Sequence, residues 1–357
     1  MVQKPTKAGD SMESPSRRAS WPMIALAVLA ITFVEARELR LMHGRFEQAF
    51  VENCRAITQG HAQWVVYQNR IAGPYGVLFL SRVTGMPFED AYRLVLQGLL
   101  YLSNCCAFAA GRRFTGTSRG AWAIVLANAL LFVAVQHDYI YIWDYIDATT
   151  MLLFAYGVIN GSGSSLFVAL FFIELLNREA ASFIALWIVL DAVTELLRRP
   201  ATGRRGGWLR MAFGMVLGAG GAWWTHWVRA RLLRYKPPDF SDLALGQQYQ
   251  WPYNLMTLRH PLDADTLIAL LMLGGLGFGY FRAAPALGDR KIAVSLLLAA
   301  MIGSTFAFAR MDETRVWIAF IPFLIFLCSA AAKDGGWFND SRDRLASGGP
   351  GGRCPAA

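Results

Sequence analysis

Residues 120–136 read GAWAIVLANALLFVAVQ, 17 positions without a charged side chain. The hydrocarbon of a bilayer is about 30 Å thick, takes roughly 17–25 helical residues to cross, and forces every backbone amide to find an internal partner. A run of this length and polarity is therefore expected to be a membrane-spanning helix. Working outward, the same pattern recurs upstream at 91–111 (AYRLVLQGLLYLSNCCAFAAG) and 21–36, and downstream at 146–160, 164–176, 181–197, 208–228, 264–281, 292–309 and 316–332. Several of these are short, so flanking residues must complete them. The expected fold is an all-α polytopic membrane protein with about ten transmembrane helices and a long external first loop containing interfacial helices. The piece 71–81 (IAGPYGVLFLS) is too short to cross and carries Gly73, Pro74 and Gly76. It reads as a re-entrant or interfacial segment.

The rest of the composition agrees. Of 357 residues, 55% are hydrophobic, and the polar residues punctuate apolar blocks. Residues 1–20 and 333–357 lack periodicity and read as disordered tails flanking a membrane domain at 21–332. A signal peptide at 21–36 is the alternative to an uncleaved anchor, and either one exports the segment that follows. The net charge of +9 comes from basic residues scattered at the ends of apolar blocks, so the expected partner is the lipid surface, not nucleic acid. The five cysteines form no disulfide framework or paired metal motif.

Orientation follows from Lys and Arg in the short loops. With the N-terminus inside, three short cytoplasmic loops hold eleven basic residues: Arg112, Arg113 and Arg119, then Arg198, Arg199, Arg204, Arg205 and Arg210, then Arg282, Arg290 and Lys291. The short external loops hold three, Arg178, Arg310 and Arg315. Both termini are then cytoplasmic, in what is expected to be a bacterial inner membrane. One stretch breaks the rule: Arg229, Arg231, Arg234 and Lys236 follow the seventh span on the external side. Its basic and apolar residues suit either a short interfacial helix that docks a lipid phosphate or a stop that orients the span. Gly214-x-x-x-Gly218 and Gly275-x-x-x-Gly279 have the spacing of close helix packing.

This topology sends the chemically capable side chains outward: a first loop at 37–90, HDYIYIWDYID at 137–147, NREA at 177–180, a loop at 229–263 and RMDETR at 310–315. Each has a plain structural reading beside the functional one. Asp144 and Asp147 can cap the fourth span. Asp138 and Asp144, among tyrosines and Trp143, sit in either an interfacial aromatic belt or a sugar-binding cleft. Glu174 and Arg178, four apart, can pair on one helix face, or Arg178 can grip a phosphate with its planar fork. Asp312 can be an N-cap. The histidines lack metal-ligand spacing, and no G-x-S-x-G, P-loop or dinucleotide fingerprint is present. No acid or base clearly occupies a span centre, which weakens ion-coupled transport.

In architecture, and in the pieces YQNRIAGPYG, DYIYIWDYID, LLNREA and DETRVWIAFIP, the chain resembles the GT-C superfamily of integral membrane glycosyltransferases across residues 21–332. The resemblance implies transfer of a sugar from a polyprenyl-phosphate carrier to an acceptor on the non-cytoplasmic face. It implies an external carboxylate, often an Asp soon after the first span, that acts as base or holds a divalent metal. Here residues 36–60 offer Glu38, Glu47 and Glu52 in place of an Asp. The expected base is Glu38 or Glu47, with Asp144 as the alternative. The expected substrate-binding residues are Arg70, Arg178, Glu179, Asp312 and Arg315, with Arg231 and Arg234 as a docking surface. Two alternatives stand beside the enzyme: a transporter or flippase of a lipid-linked glycan, and a non-catalytic assembly subunit.

Overall fold

The computed structural model describes residues 21–61, 70–136, 141–198, 205–231, 249–258 and 263–334. The chain is all-helical, with no strand among the described residues. The helices are α1 (Trp21–His43), α2 (Glu47–Thr58), α3 (Ala72–Thr84), α4 (Phe88–Thr115), α5 (Ser118–Val135), α6 (Ile142–Asn160), α7 (Ser164–Leu175), α8 (Ala181–Arg198), α9 (Arg205–Arg231), α10 (Trp251–Thr257), α11 (Ala264–Leu287), α12 (Lys291–Phe308) and α13 (Ile321–Asp334). A 3₁₀ helix, Thr314–Ala319, leads into α13.

By length and composition three stretches suffice to cross a membrane: Phe88–Thr115, Ser118–Val135 and Ala264–Phe308. The last folds back on itself. Gly288 at φ 53 ends α11, and the Tyr280 hydroxyl reaches the carbonyl of Lys291 at 3.1 Å, which a straight 11-residue rise would forbid. The segment at 71–81 forms α3, a 13-residue helix of about 20 Å, too short to cross.

Contacts sort the turns into two ends. At one end Arg198 pairs with Asp289 at 2.9 Å, Arg290 donates to the Val158 carbonyl at 3.1 Å, and Lys333 donates to the Phe114 carbonyl at 3.3 Å. Gly161, the left-handed cap of α6 at φ 77, lies there against the Arg290 guanidinium, where a Cβ would stand 2.4 Å from its nitrogens. At the other end His43 bonds the Gln136 carbonyl at 2.5 Å, Ile71 and Ala72 donate to the Leu176 carbonyl, and Asn254 donates to the carbonyls of Phe306 and Ala309.

Many large apolar side chains lie on the outside of the bundle, and a few polar ones lie inside. Leu197, Phe281, Leu130 and Phe33 are at least two-thirds exposed, whereas Asp144, Glu174 and Asn104 are fully buried. Large apolar side chains on the exterior, over an apolar core that encloses a minority of polar side chains, suit a lipid environment. Small residues bring the helices together. A Cβ on Gly214 would stand 2.8 Å from Val189 Cγ2 on α8, and one on Gly279 would stand 3.3 Å from Cys328 Sγ on α13. Both glycine pairs thus lie at helix interfaces.

Candidate functional site

The site forms where α6 begins. Its first turn starts at Ile142, earlier than the apolar pattern suggests, because the Asp144 carboxylate reaches back to accept from the Tyr141 N–H at 2.9 Å. Asp144 therefore caps, as one reading expected. Asp147 does not: it lies a turn inside the helix, where no backbone N–H needs it, and its Oδ2 takes Arg178 Nη1 at 2.8 Å.

Arg178 gets there because α7 ends at Leu175. The turn that follows carries Arg178 away from α7, so the expected Glu174–Arg178 pair gives way to bonds across to α6. The same Nη1 stands 3.4 Å from Asp144 Oδ1. Glu174, fully buried, instead accepts from Asn177 Nδ2 at 3.2 Å and from the Thr150 hydroxyl. Asn177 Nδ2 also donates to the Trp143 carbonyl at 3.0 Å, pinning the turn onto α6.

Arg70 and Arg315 join the cluster from two further segments. Arg70, 6% exposed, precedes α3, whose first amides are held by the Leu176 carbonyl. Gly73 permits this seat, since a Cβ there would lie 2.6 Å from Ile142 Cγ2. Arg315, in the 3₁₀ helix, pairs with Glu313 and stands 4.0 Å from Asp144 Oδ2. Two stacked rings carry these cations: Trp143 lies 5.1 Å from the Arg70 guanidinium, Tyr141 lies 5.0 Å from that of Arg315, and the rings are 4.6 Å apart at 12°.

The three guanidiniums sense one another. Burial first, and then the charge of Arg178, push Arg70 down to about 10, so it is still cationic at neutral pH. For Arg178 burial opposes the charge, but the carboxylates of Asp147 and Asp144 outweigh it and hold the guanidinium above its ordinary value. The result is a largely buried cluster in which three guanidiniums face the carboxylates of Asp144, Asp147 and Glu313. The side chains of Arg178 and Arg315 keep 20% and 14% exposure.

An open groove runs between α1, α2 and α4, lined by Leu39, Leu96 and Leu100 and by Arg40, Glu47, Arg93 and Gln97. It adjoins the cluster through Phe50, which lines it and packs 5.1 Å from Tyr141. Glu47 lies in this groove, bonded to Arg93.

Of the residues singled out from sequence, Arg70, Arg178, Arg315 and Asp144 converge, and exposed Glu179 lies within electrostatic reach of Arg70. Glu38 is exposed on α1, outside the cluster. Asp312 is not an N-cap: it accepts from Arg310 at 2.8 Å and from the Tyr253 hydroxyl at 2.6 Å, joining α10 to the loop before the 3₁₀ helix. Arg231 is exposed at the end of α9, while Asp138 and Arg234 lie outside the described residues. Among the described residues no group of three or more His, Cys, Asp or Glu is placed to hold a metal ion. Asp147 and Trp143 are the members whose place in the cluster sequence reasoning missed. Glu35 was missed as well. It was read as the last turn of a short span, but α1 continues to His43 and buries it beside Asn104. A lone acid in one apolar run and the amide of Asn104 in another were the signal. No family model, curated protein or solved structure matches this chain.

Proposed function

We propose that the protein is a polytopic membrane glycosyltransferase of GT-C type, taking a sugar from a polyprenyl-phosphate donor on the non-cytoplasmic face of a bacterial inner membrane. In this reading the two ends of the bundle are the two membrane faces, and the helices cross about ten times. The 3₁₀ helix and α13 together complete the last crossing. The basic residues within 112–119, 198–210 and 282–291 would face the cytoplasm, in keeping with the positive-inside rule.

The observation that supports this reading is the convergence of Arg70, Arg178 and Arg315, from three separate segments, on one patch at the end of the bundle. The faces of Trp143 and Tyr141 are taken by arginines, so they hold cations in place instead of stacking a sugar. Three preorganised cations can bind a lipid phosphate and stabilise the charge that develops as it leaves. Asp144 is engaged with Arg178, Arg315 and the Tyr141 amide, which makes it an anchor and a poor base. Glu47, partly exposed in the adjoining groove, is the base in this reading, and its bond from Arg93 would have to open for it to take a proton. The acceptor hydroxyl would give its proton to Glu47 as its oxygen bonds the anomeric carbon. The carbon–oxygen bond to phosphate would break, its electron pair leaving on the phosphate.

The test is binding of a polyprenyl monophosphate to the full-length protein in nanodiscs. Inorganic phosphate should compete, and replacing Arg70, Arg178 and Arg315 singly with Gln should each weaken binding. Unchanged affinity in all three variants would end the proposal. A second reading, ion-coupled transport of a lipid-linked glycan, is favoured by one observation, the burial of Glu35 inside α1. It requires the same headgroup site and no sugar release.

A further inference from the structure

Glu35 sits eight residues before His43, the residue that meets the end of α5, and its side chain is 4% exposed. One carboxylate oxygen, Oε2, accepts from Asn104 Nδ2 of α4 at 2.8 Å, and the same nitrogen reaches the Thr32 hydroxyl oxygen at 3.1 Å. The other oxygen, Oε1, is buried with no hydrogen-bond partner, and so is Oδ1 of Asn104. Two neighbouring groups thus each present an orphaned acceptor, and what the pair lacks is a donor hydrogen. A buried carboxylate with one bare oxygen would carry the full cost of a desolvated charge.

We infer that Glu35 is a proton-binding site inside the helix bundle, a neutral carboxylic acid whose Oε1–H is given to Oδ1 of Asn104. With Asn104 Nδ2 already on Oε2, that bond closes an acid–amide ring of two hydrogen bonds and leaves neither orphan. Among the described residues no cation is set against Glu35. The ionisable group set against Glu35 from α6 is the Tyr145 hydroxyl. On α4 its partner Asn104 is uncharged, and α5 carries a single ionisable side chain, Arg119, in its first turn at the opposite end. On α1 itself His43 is tied to the Gln136 carbonyl. Arg40, Glu47 and Arg93 line the groove, where Glu47 and Arg93 bond each other. Ala36 and Leu39, one and four residues further along α1, wall the same groove, by which a proton would reach Glu35 in this proposal. This inference is independent of the arginine cluster and holds for an enzyme or a transporter.

Infrared pH titration of the full-length protein in nanodiscs tests it. The wild type should show a protonated-carboxyl C=O band at neutral pH that Glu35→Gln removes. The Gln amide supplies the missing N–H, so the variant should fold. Because the folded state holds a proton that the unfolded chain releases, wild-type thermal stability should fall as pH rises, and Glu35→Gln should flatten that slope. Asn104→Ala, which keeps the acid and removes its partner, should shift the band, a readout that stands if Glu35→Gln fails to fold. A neutral-pH spectrum in which neither variant changes the carboxyl band would overturn the inference. So would stability that follows sodium concentration with no acid band present, because the orphaned oxygens would then hold a metal cation.

Discussion

Replacing Arg178 separates a salt bridge from a phosphate site, because the geometry makes the two roles draw on different nitrogens. Both carboxylate contacts leave from Nη1, at 2.8 Å to Asp147 and 3.4 Å to Asp144. A lysine ammonium is a point charge that can sit between the same two oxygens but has no second nitrogen to offer an anion. Arg178→Ala leaves Asp144 and Asp147, with side chains 0% and 1% exposed, without their shared cation. Breaking a buried pair from one side costs about 3–5 kcal/mol. Arg178→Lys should cost about 1 kcal/mol of stability, the scale of one imperfect hydrogen bond. Loss of a charge-assisted bond to phosphate is worth about 1.5–3 kcal/mol, or roughly tenfold or more in donor Kd. Thermal unfolding and polyprenyl-phosphate titration of the same nanodisc samples give both numbers. A Lys variant that matches the wild type in both would show that Arg178 serves only as a structural cation.

Gly73→Val should weaken phosphate binding without altering any charged group, since its Cβ would stand 2.6 Å from Ile142 Cγ2 and push α3, with Arg70, off α6. Unchanged binding in a folded variant would show that Arg70 needs no such seat. For Asp312 burial opposes the charge, but bonds from Arg310 and Tyr253 outweigh it and hold the carboxyl below its ordinary value. Its contribution to stability is present above the unfolded value of about 3.9 and lost as pH falls below it. Emission from Trp251 on α10 should report release of that contact in acid, and Asp312→Asn should remove that step. Single cysteines at Ser118 and Ala286 should resist an impermeant thiol reagent applied outside, while one at exposed Gln59 reacts; the reverse pattern would move the arginine cluster to the cytoplasmic face.

The helix positions were legible because apolar blocks ended at charges and glycines, and the close approaches at Gly214 and Gly279 were legible as spacing. The ends of helices were harder. ARELRLMH after Glu35 has the polarity of a loop, yet it continues α1, because Leu39 and His43 bury one face. That extension is what carries Glu35 inside. The tyrosine-rich stretch before Asp147 hid the start of α6, since an acid at the third helical position that caps backwards has no apolar signature. The three arginines stood out in the sequence as cations in short polar segments, but the contacts of Arg178 with Asp144 and Asp147 did not. A spacing of four implied that Glu174 faces Arg178, and that rule holds only while the helix continues. The turn at Leu176 breaks it, and the resulting contacts between residues about 30 apart have no local sequence signal.

A transferase at this phosphate site must release sugar from its donor. Purified full-length protein in nanodiscs is incubated with a radiolabelled polyprenyl-phosphate sugar, and the water-soluble or acceptor-linked label is followed over time. The account predicts time-dependent release that falls at least tenfold in Arg178→Lys and is lost in Glu47→Gln, with polyprenyl-phosphate binding retained in the latter. Saturable binding of the donor with no release of its sugar by the wild type would contradict it.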